Sequence, residues 1–512
     1  MFQSRTHTCN ELRLENIGEK VKIVGWMENV REVGNNFAFV VVRDFYGTTQ
    51  VVVETEEMMN IVHSVNKEST ISVEGVVRER ASKNPKQATG DIEVVPEKIE
   101  ILGKCRYNEL PFEINRSREA DESARLKYRY LDLRNPAVKQ NIILRCNVVA
   151  ALRQAMTEHG FLEITTPILT ASSPEGARDY LVPARKHPGK FYALPQAPQQ
   201  FKQLLMTAGF DRYFQIAPCF RDEDARGDRS PGEFYQLDME MAFACQDDVF
   251  AVLEDVLPPI FAKYGKYNIA SSAPFKRIPY LEAMEKYGSD KPDLRISLEF
   301  KEITDLCKDT SFKVFANAAA MPNGKVVAMN VPKGCQLPRS EIDSYTEFVK
   351  IYGAKGLAYI KVNEKAKGRE GLQSPIVKNL SDEFLNAVIE RTGANDGDVI
   401  FFGADKKKIV WDSLGALRLK IGRSEFGKKA GLFTEGWKAL WVIDFPMFEW
   451  SDEENRWMAC HHPFTCPKPE DVDKLQSDPE HCYAQAYDMV LNGWEIGGGS
   501  IRIHKEDVQE KV

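Results

Sequence analysis

Three consecutive glycines lie near the end of the chain, before an alternating segment with a single arginine, in the run Gly497-Gly498-Gly499-Ser500-Ile501-Arg502-Ile503. Glycine has no Cβ, so a strand of this kind brings bare backbone close to a small ligand. The guanidinium of Arg502 can bind a carboxylate, and the carboxylates of Asp488 and Glu495 can hold a metal ion. The run by itself also fits a bend in a sheet with a surface arginine. Other segments must decide between the two interpretations.

Polar residues of complementary charge occur in four further segments. Glu175 lies beside a glycine and can bind an ammonium group, while Gln199 and Lys202 lie one helical turn apart. The remaining candidates are Arg221 and Glu223 at the end of one strand, and Gln236, Asp238 and Glu240 on one face of the next. Each residue taken singly is most simply a solvated charge. In this order they predict a site for a zwitterion and a nucleotide.

The composition of the chain restricts the class of protein to which it can belong. A chain of 512 residues with 43% hydrophobic and 28% charged residues is typical of a globular protein of several domains. No apolar run reaches about 18 residues and the first ten residues are polar, which predicts a cytoplasmic protein without a membrane span. The ten cysteines include no CxxC pair, which favours reduced thiols, and the run Cys460-His461-His462 with Cys466 matches no familiar zinc spacing. Because the chain has a net charge of −7, a polyanion must bind to local positive patches on it.

The N-terminal region alternates like a small β-barrel. Strands are predicted at Val21–Trp26, Phe37–Val42, Thr49–Val53, Thr70–Val77 and Ile92–Val95, which suggests an OB-like fold. Such barrels stack and read single-stranded bases on an exposed strand face, and Phe39 with Gln50 are suited to this. The alternative is that Phe39 is an ordinary core residue.

A basic linker and a larger α/β body follow the barrel. The linker carries cations that either line a phosphate backbone or belong to a hinge of mixed charge: Arg116, Arg118, Arg125, Lys127, Arg129 and Arg134. Helical spacing from Ile142 to Met156 and a strand at Phe161–Thr166 come next. Past Pro279 strands alternate with helices, which predicts a self-contained α+β insertion.

The order of these motifs resembles bacterial-type aspartyl-tRNA synthetases, which are class II enzymes. The segments that carry the resemblance are SPEGA, QAPQQFKQ, FRDED, QLDME, HHPFT and NGWEIGGGSIRIH, and they cover the chain from about Arg5 to Val512. The segment YGSDKPD and the insertion match the bacterial branch. The resemblance implies a multi-domain α+β protein, with an N-terminal OB-fold barrel, an antiparallel-sheet catalytic domain and an inserted α+β domain. The implied boundaries are residues 1–105 (anticodon-binding barrel), 106–138 (hinge), 139–287 and 426–512 (catalytic domain), and 288–425 (insertion).

The resemblance also assigns roles. Glu175 and Asp238 would bind the ammonium group of L-aspartate. Its side-chain carboxylate would be bound by Lys202 and Arg502, the remaining aspartate contacts being Gln199, His461 and His462. ATP would be bound by Arg221, Glu223 and Gln236, with Mg²⁺ held on its phosphates by Asp488 and Glu495. Lys202, Arg221 and Arg502 would be the catalytic cations, and tRNA(Asp) would contact Arg31, Phe39 and Gln50. A homodimer is also implied.

Several departures from the family pattern generate alternatives. Around the first barrel tryptophan the usual arginine run is reduced to Arg31, Ala197 replaces a usual serine, and Gly232 is an extra loop residue. The family's last glycine-rich motif, with an ATP-binding arginine, would follow Val512, so we expect this chain to form little adenylate. The alternative functions are a ligase that also charges tRNA(Asn) and a tRNA-binding paralogue without adenylation activity.

Overall fold

The computed structural model describes residues 4–34, 36–173, 176–223, 232–267, 273–451 and 453–512. The chain divides into two compact units, Met1–Ile143 and Leu144–Val512. Within the described ranges, no helix is both long enough and apolar enough to cross a membrane.

A closed five-stranded barrel forms the first part of the first unit. Its elements are β1 (Lys20–Gly34), β2 (Phe37–Arg43), β3 (Thr48–Val53), α1 (Glu56–His63), β4 (Thr70–Glu79) and β5 (Ile92–Gly103). The strand order is β1-β2-β3-β5-β4. Alternate residues such as Ile23, Val40 and Val51 are fully buried inside the barrel, because a strand presents every second side chain to one face. The predicted OB-fold barrel is confirmed.

The basic linker forms α2 (Glu122–Lys127), α3 (Arg129–Asp132) and the start of α4 (Pro136–Glu158). Arg125 and Arg129 pair with the fully buried carboxylate of Asp132 at 3.2 and 2.5 Å. Arg134 pairs with buried Glu68 at 2.6 Å. These three cations are neutralised by carboxylates of their own unit, which favours the hinge interpretation over phosphate binding for them.

The second unit begins with a three-stranded sheet of order β10-β9-β6. Its elements, together with those that lead to the insertion, are β6 (Leu162–Glu163), β7 (Leu181–Pro183), β8 (Phe191–Ala193), α5 (Gln199–Thr207), β9 (Arg212–Phe220), β10 (Glu233–Met241), α6 (Gln246–Tyr264), β11 (Lys276–Pro279) and α7 (Tyr280–Tyr287). The strand predicted for Phe161–Thr166 was too long. Only Leu162 and Glu163 find parallel partners on β9, so the ladder ends there.

The inserted segment folds around a five-stranded sheet of order β12-β13-β16-β14-β15. Its elements are β12 (Phe300–Glu302), α8 (Lys313–Ala320), β13 (Gly324–Val331), α9 (Arg339–Lys350), β14 (Ala358–Val362), β15 (Leu372–Gln373), α10 (Asp382–Thr392), β16 (Asp398–Lys406), α11 (Lys407–Arg423) and α12 (Glu425–Ala430). Along β16, Phe401 belongs to one buried cluster and Phe402 to another. Helices therefore cover both faces of this sheet.

The last part of the chain completes a four-stranded sheet of order β11-β17-β20-β21. Its elements are β17 (Ala439–Ile443), β18 (Phe448–Ser451), β19 (Arg456–Ala459), α13 (Lys474–Ser477), β20 (Ala486–Leu491), β21 (Trp494–Ser500) and α14 (Glu506–Lys511). Trp441 on β17 stacks on Phe250 of α6, with ring centroids 4.1 Å apart, and its indole N–H donates to Glu254 at 2.8 Å. These contacts fix α6 against the sheet whose outer strand precedes Arg502.

Candidate functional site

A buried lysine and two carboxylates form the centre of the site. Lys202 lies one turn into α5 and is only 6% exposed. Its ammonium group donates to Asp238 Oδ1 at 2.8 Å and lies 3.2 Å from Glu240 Oε2. Burial by itself lowers the pKa of Lys202, but the charges of Asp238 and Glu240 outweigh it, so its pKa is raised. The lysine therefore stays charged in a dry site.

The register of the β9–β10 hairpin places these carboxylates. Asp238 pairs with Gln215 and Glu240 with Tyr213, so both carboxylates point to the same face of β10. The Tyr213 hydroxyl donates to Gln215 at 3.1 Å, and burial together with the charge of Asp238 raises the pKa of Tyr213. The tyrosine thus remains a neutral donor beneath the site.

A second cation, Arg502, follows the end of β21 and lies beside the carboxylate of Glu240. Its Nε lies 3.6 Å from Glu240 Oε1, which is within ion-pair range but beyond hydrogen-bonding distance. One terminal nitrogen, Nη2, donates to Gln199 Oε1 at 3.2 Å. The other, Nη1, donates to Ser500 Oγ at 2.7 Å and to His462 Nε2. Arg502 and Lys202 are thus held side by side through Glu240.

The two histidines differ in their surroundings. His462 stacks on Phe464, with ring centroids 3.7 Å apart. Burial lowers the pKa of His462 to about 3, and the positive charge of Arg502 acts in the same direction. Burial also lowers the pKa of His461, whose ring meets the edge of Phe445 at 5.7 Å. Both imidazoles are therefore neutral at physiological pH.

Several buried polar atoms of the candidate residues lack a hydrogen-bond partner within the described chain. They are the acceptor Asp238 Oδ2 and the donors Gln199 Nε2, Arg502 Nε and Arg221 Nε, together with His461 Nε2. A buried polar atom without a partner costs about 1–3 kcal/mol, and several of them on the residues of one site are typical of a place where a ligand completes the bonding. An acceptor beside donors and cations suits a molecule with both an ammonium group and a carboxylate.

The nucleotide candidates lie around the far end of the same hairpin. Gln236 lies two residues before Asp238 on the same face of β10, and its Oε1 accepts from the Cys219 thiol at 3.3 Å. The guanidinium of Arg221, just past β9, lies 5.2 Å from the centre of the Phe234 ring. Glu223 is exposed. Glu175, predicted to bind an ammonium group, falls outside the described residues.

Asp488 and Glu495 lie on the neighbouring strands β20 and β21, where Glu495 pairs with Val490. Asp488 pairs with Gly498, where an added Cβ would lie 2.4 Å from Asp488 Oδ1. Burial raises the pKa of Asp488 to about 7, with further contributions from the negative charges of Glu495 and Asp290. The described residues contain no group of three or more His, Cys, Asp or Glu side chains that could hold a metal ion. Two carboxylates still fit Mg²⁺, which keeps several waters and shares its ligands with phosphates.

On the barrel, the predicted base-reading residues share an outer face. Phe39 is half-buried, and Arg31 stacks over its ring at 4.8 Å. The amide of Gln50 is already engaged, because Nε2 donates to Glu93 at 2.9 Å and Oε1 accepts from Arg80. Phe39 with Arg31 is therefore available for stacking, whereas Gln50 must exchange partners before it can read a base.

The structure brings Gln199, Lys202, Asp238, His462 and Arg502 into one cluster through the contacts above. Sequence reasoning assigned no specific role to Glu240, although it placed this residue on the face that it shares with Asp238, and it missed Ser500 and Phe464. For Ser500 a signal was present, since residues 500 and 502 alternate onto one face. The second partner of Glu240 is Arg502, which follows β21, and no local pattern in the sequence indicates that these two residues lie side by side.

Comparisons with known proteins agree with this architecture. A family model described as tRNA synthetases class II (D, K and N) matches residues 121–512, and one described as an OB-fold nucleic acid binding domain matches residues 21–102. A putative aspartyl-tRNA synthetase from Leishmania major Friedlin is similar, with a TM-score of 0.56 and 18% identity, covering 100% of this chain and 84% of that one. The aspartyl tRNA synthetase from Entamoeba histolytica has a TM-score of 0.53 and 18% identity, covering 99% and 80%. At such identities these two structures support the fold alone.

Replacing Lys202 with methionine should destabilise the second unit. The substitution keeps the apolar stem but leaves Asp238 and Glu240 buried without their ammonium partner, which typically costs about 3–5 kcal/mol. Urea unfolding followed by tryptophan fluorescence measures the loss. Lys276→Met, which changes an exposed lysine, is the matched control. Adding Asp238→Asn to Lys202→Met should restore part of the stability, and equal losses in Lys202→Met and the control would contradict the ion-pair assignment.

Proposed function

The chain belongs to the class II tRNA synthetases of the D, K and N group, and on this premise we propose that it ligates L-aspartate to tRNA(Asp) through an aspartyl-adenylate. The observation that carries the proposal is the convergence of Lys202 and Arg502 on one buried site, with Arg502 Nε lacking a hydrogen-bond partner. A side-chain carboxylate satisfies both cations. The neutral amide of asparagine brings no negative charge to offset its own α-ammonium group beside these two cations, and the ammonium of lysine is repelled.

The remaining contacts orient the amino acid. Asp238, with its bare Oδ2, would accept from the α-ammonium group together with Glu175, while Gln199 would donate from its free amide nitrogen. His461 and His462, both neutral, would close over the side chain without adding charge. This arrangement leaves the α-carboxylate as the only charged group of aspartate free to react.

In the proposed first step an oxygen of that carboxylate attacks the α-phosphorus of ATP. A new oxygen–phosphorus bond forms as the bond to the β-phosphate oxygen breaks, and pyrophosphate leaves. Arg221 would stabilise charge on the α-phosphate, with Glu223 and Gln236 binding the nucleotide. Asp488 and Glu495 would hold Mg²⁺, which when bound neutralises phosphate charge. In the second step a 3′-terminal ribose hydroxyl of the tRNA attacks the activated carbonyl, and AMP leaves.

The barrel supplies the proposed tRNA contact, through stacking on Phe39 beside Arg31. A ligase that also charges tRNA(Asn) remains the alternative within the family, and charging of the two purified tRNAs distinguishes the two functions.

The proposal includes a homodimer, since large apolar side chains such as Leu144, Leu162, Ile168, Leu169 and Phe243 are exposed in the second unit. A second copy would cover such residues.

Pyrophosphate exchange in the full-length protein tests the amino-acid assignment. Aspartate should support exchange and asparagine should not. Arg502→Ala should lower kcat/KM for aspartate by the equivalent of about 2–5 kcal/mol, since a buried carboxylate loses its partner. Arg456→Ala, which removes an exposed arginine of β19, should have no effect. Efficient exchange with asparagine, or unchanged aspartate kinetics in Arg502→Ala, would contradict the proposal.

Two glycines of β21 form a matched pair for the nucleotide side of the site. Gly498→Ala forces a methyl group against Asp488 Oδ1, whereas a Cβ at Gly497 meets nothing within 4 Å. We expect Gly498→Ala to raise the ATP KM at least tenfold and Gly497→Ala to change it less than twofold. If the two variants behave alike, Asp488 does not take part in nucleotide binding.

Phe39→Ala should weaken tRNA charging and leave pyrophosphate exchange intact, because the barrel is expected to act only on tRNA. Loss of stacking on one base is worth about 1–3 kcal/mol. Tyr107→Ala, which removes a 72% exposed aromatic ring of the same unit, is the control. Aminoacylation by Phe39→Ala at the parental KM for tRNA would exclude Phe39 as a base contact.

A further inference from the structure

The hydrogen-bond donors of Arg502 are only partly used by the protein. A guanidinium group carries five N–H donors in one plane, two on each terminal nitrogen and one on Nε. Nη1 donates to His462 Nε2 and to Ser500 Oγ, the latter at 2.7 Å, which accounts for both of its hydrogens. Nη2 donates to Gln199 Oε1 at 3.2 Å. Within the part of the chain that the structure describes, the hydrogen on Nε and one hydrogen on Nη2 are left for a ligand.

The bond between Ser500 and Arg502 has only one possible direction. A hydroxyl group can donate or accept, but a guanidinium group can only donate, so Ser500 Oγ is the acceptor. Because the donor is charged, this bond is stronger than one between two neutral groups. Ser500 therefore holds Nη1 of Arg502 in place.

The backbone between Ser500 and Arg502 is fixed on both sides. The amide of Ile501 donates to the carbonyl of Gln485 at 3.0 Å, and the carbonyl of Ile501 accepts from the amide of Cys466 at 2.9 Å. Residues two apart in an extended chain present their side chains to the same side. The hydroxyl of Ser500 thus lies beside the guanidinium on a rigid support.

We propose that Ser500 is a positioning residue for Arg502: together with His462 it occupies Nη1, so that the substrate carboxylate is bound by Nε and Nη2 alone. The inference rests on the proposed function in that a substrate carboxylate is taken to bind Arg502. Glu240 stays 3.6 Å from Nε, beyond hydrogen-bonding distance, so this donor remains for the ligand. Two donors on two nitrogens of one planar group match the two oxygens of a carboxylate. Neither the motifs nor the comparisons assign this role to Ser500.

Without the serine hydroxyl, Arg502 would have a second way to bind the ligand. One hydrogen of Nη1 would be free, and a carboxylate would then find donors on all three nitrogens of the guanidinium. The amino acid reacts only when its α-carboxylate is aligned with the α-phosphorus of ATP, so a second position of its side chain should weaken productive binding. Ser500 excludes that second position.

The test compares Ser500→Ala, which removes the acceptor, with Ser500→Thr, which keeps it. The full-length protein is labelled with ¹³C and ¹⁵N in its arginines, and Arg502 is assigned by the loss of its signals in Arg502→Lys. A free guanidinium group turns about its Nε–Cζ bond and averages its two Nη signals, whereas one held by different acceptors gives two. Wild type and Ser500→Thr should give two Nη signals for Arg502, and Ser500→Ala should show faster exchange between them. Ser477→Ala, which removes an exposed hydroxyl of α13, should leave these signals unchanged.

Kinetics of pyrophosphate exchange supply the second readout. Ser500→Ala should raise the KM for aspartate about tenfold, as expected for the loss of one hydrogen bond to a charged group, and leave the KM for ATP unchanged. Ser500→Thr should restore the parental KM. The proposal is overturned if Arg502 gives one averaged Nη signal in the wild type, or if Ser500→Ala changes neither the exchange of these signals nor the KM for aspartate. The spectra need no substrate, so they judge the role of Ser500 even if aspartate proves not to be the amino acid.

Discussion

Two positive charges share one buried carboxylate, and the rest of the site follows from that constraint. Lys202 and Arg502 would repel each other at this separation in a dry environment, but Glu240 lies against both, at 3.2 and 3.6 Å. Asp238 supplies the second negative charge on Lys202, at 2.8 Å. The cluster is balanced without a ligand. The charges are therefore compensated in the unliganded protein, and the two cations are still held together beside Glu240.

The balance also explains how the site can accept a further carboxylate. Arg502 has a buried Nε–H without a hydrogen-bond partner, and a ligand that brings both an ammonium group and a carboxylate adds one charge of each sign. Asp238 offers its free oxygen to the first, and the cations serve the second. Neutral His462 helps to hold Arg502 through a lone pair and not through charge, so Arg502 keeps its full positive charge for the ligand.

Local patterns in the sequence predict the elements but not their partners. Alternation predicted the barrel strands and the face shared by Asp238 and Glu240, and helical spacing placed Gln199 beside Lys202, because these periodicities are properties of the backbone itself. The residues that hold Arg502 lie up to 303 positions away in the chain, and no local pattern encodes such distances. For the same reason the pairing of Gln50 with Arg80 and Glu93, and of the linker arginines with Asp132 and Glu68, could not be foreseen.

A crystal structure of the full-length protein with L-aspartate bound would examine the shared-carboxylate site most directly. The distances that matter join the side-chain carboxylate of the ligand to Lys202 Nζ and to the guanidinium of Arg502. We expect both to be hydrogen bonds of about 2.7–3.2 Å, with Glu240 still between the two cations. A ligand whose side chain lies away from both cations, with Lys202 bound only to Asp238 and Glu240, would contradict the assignment.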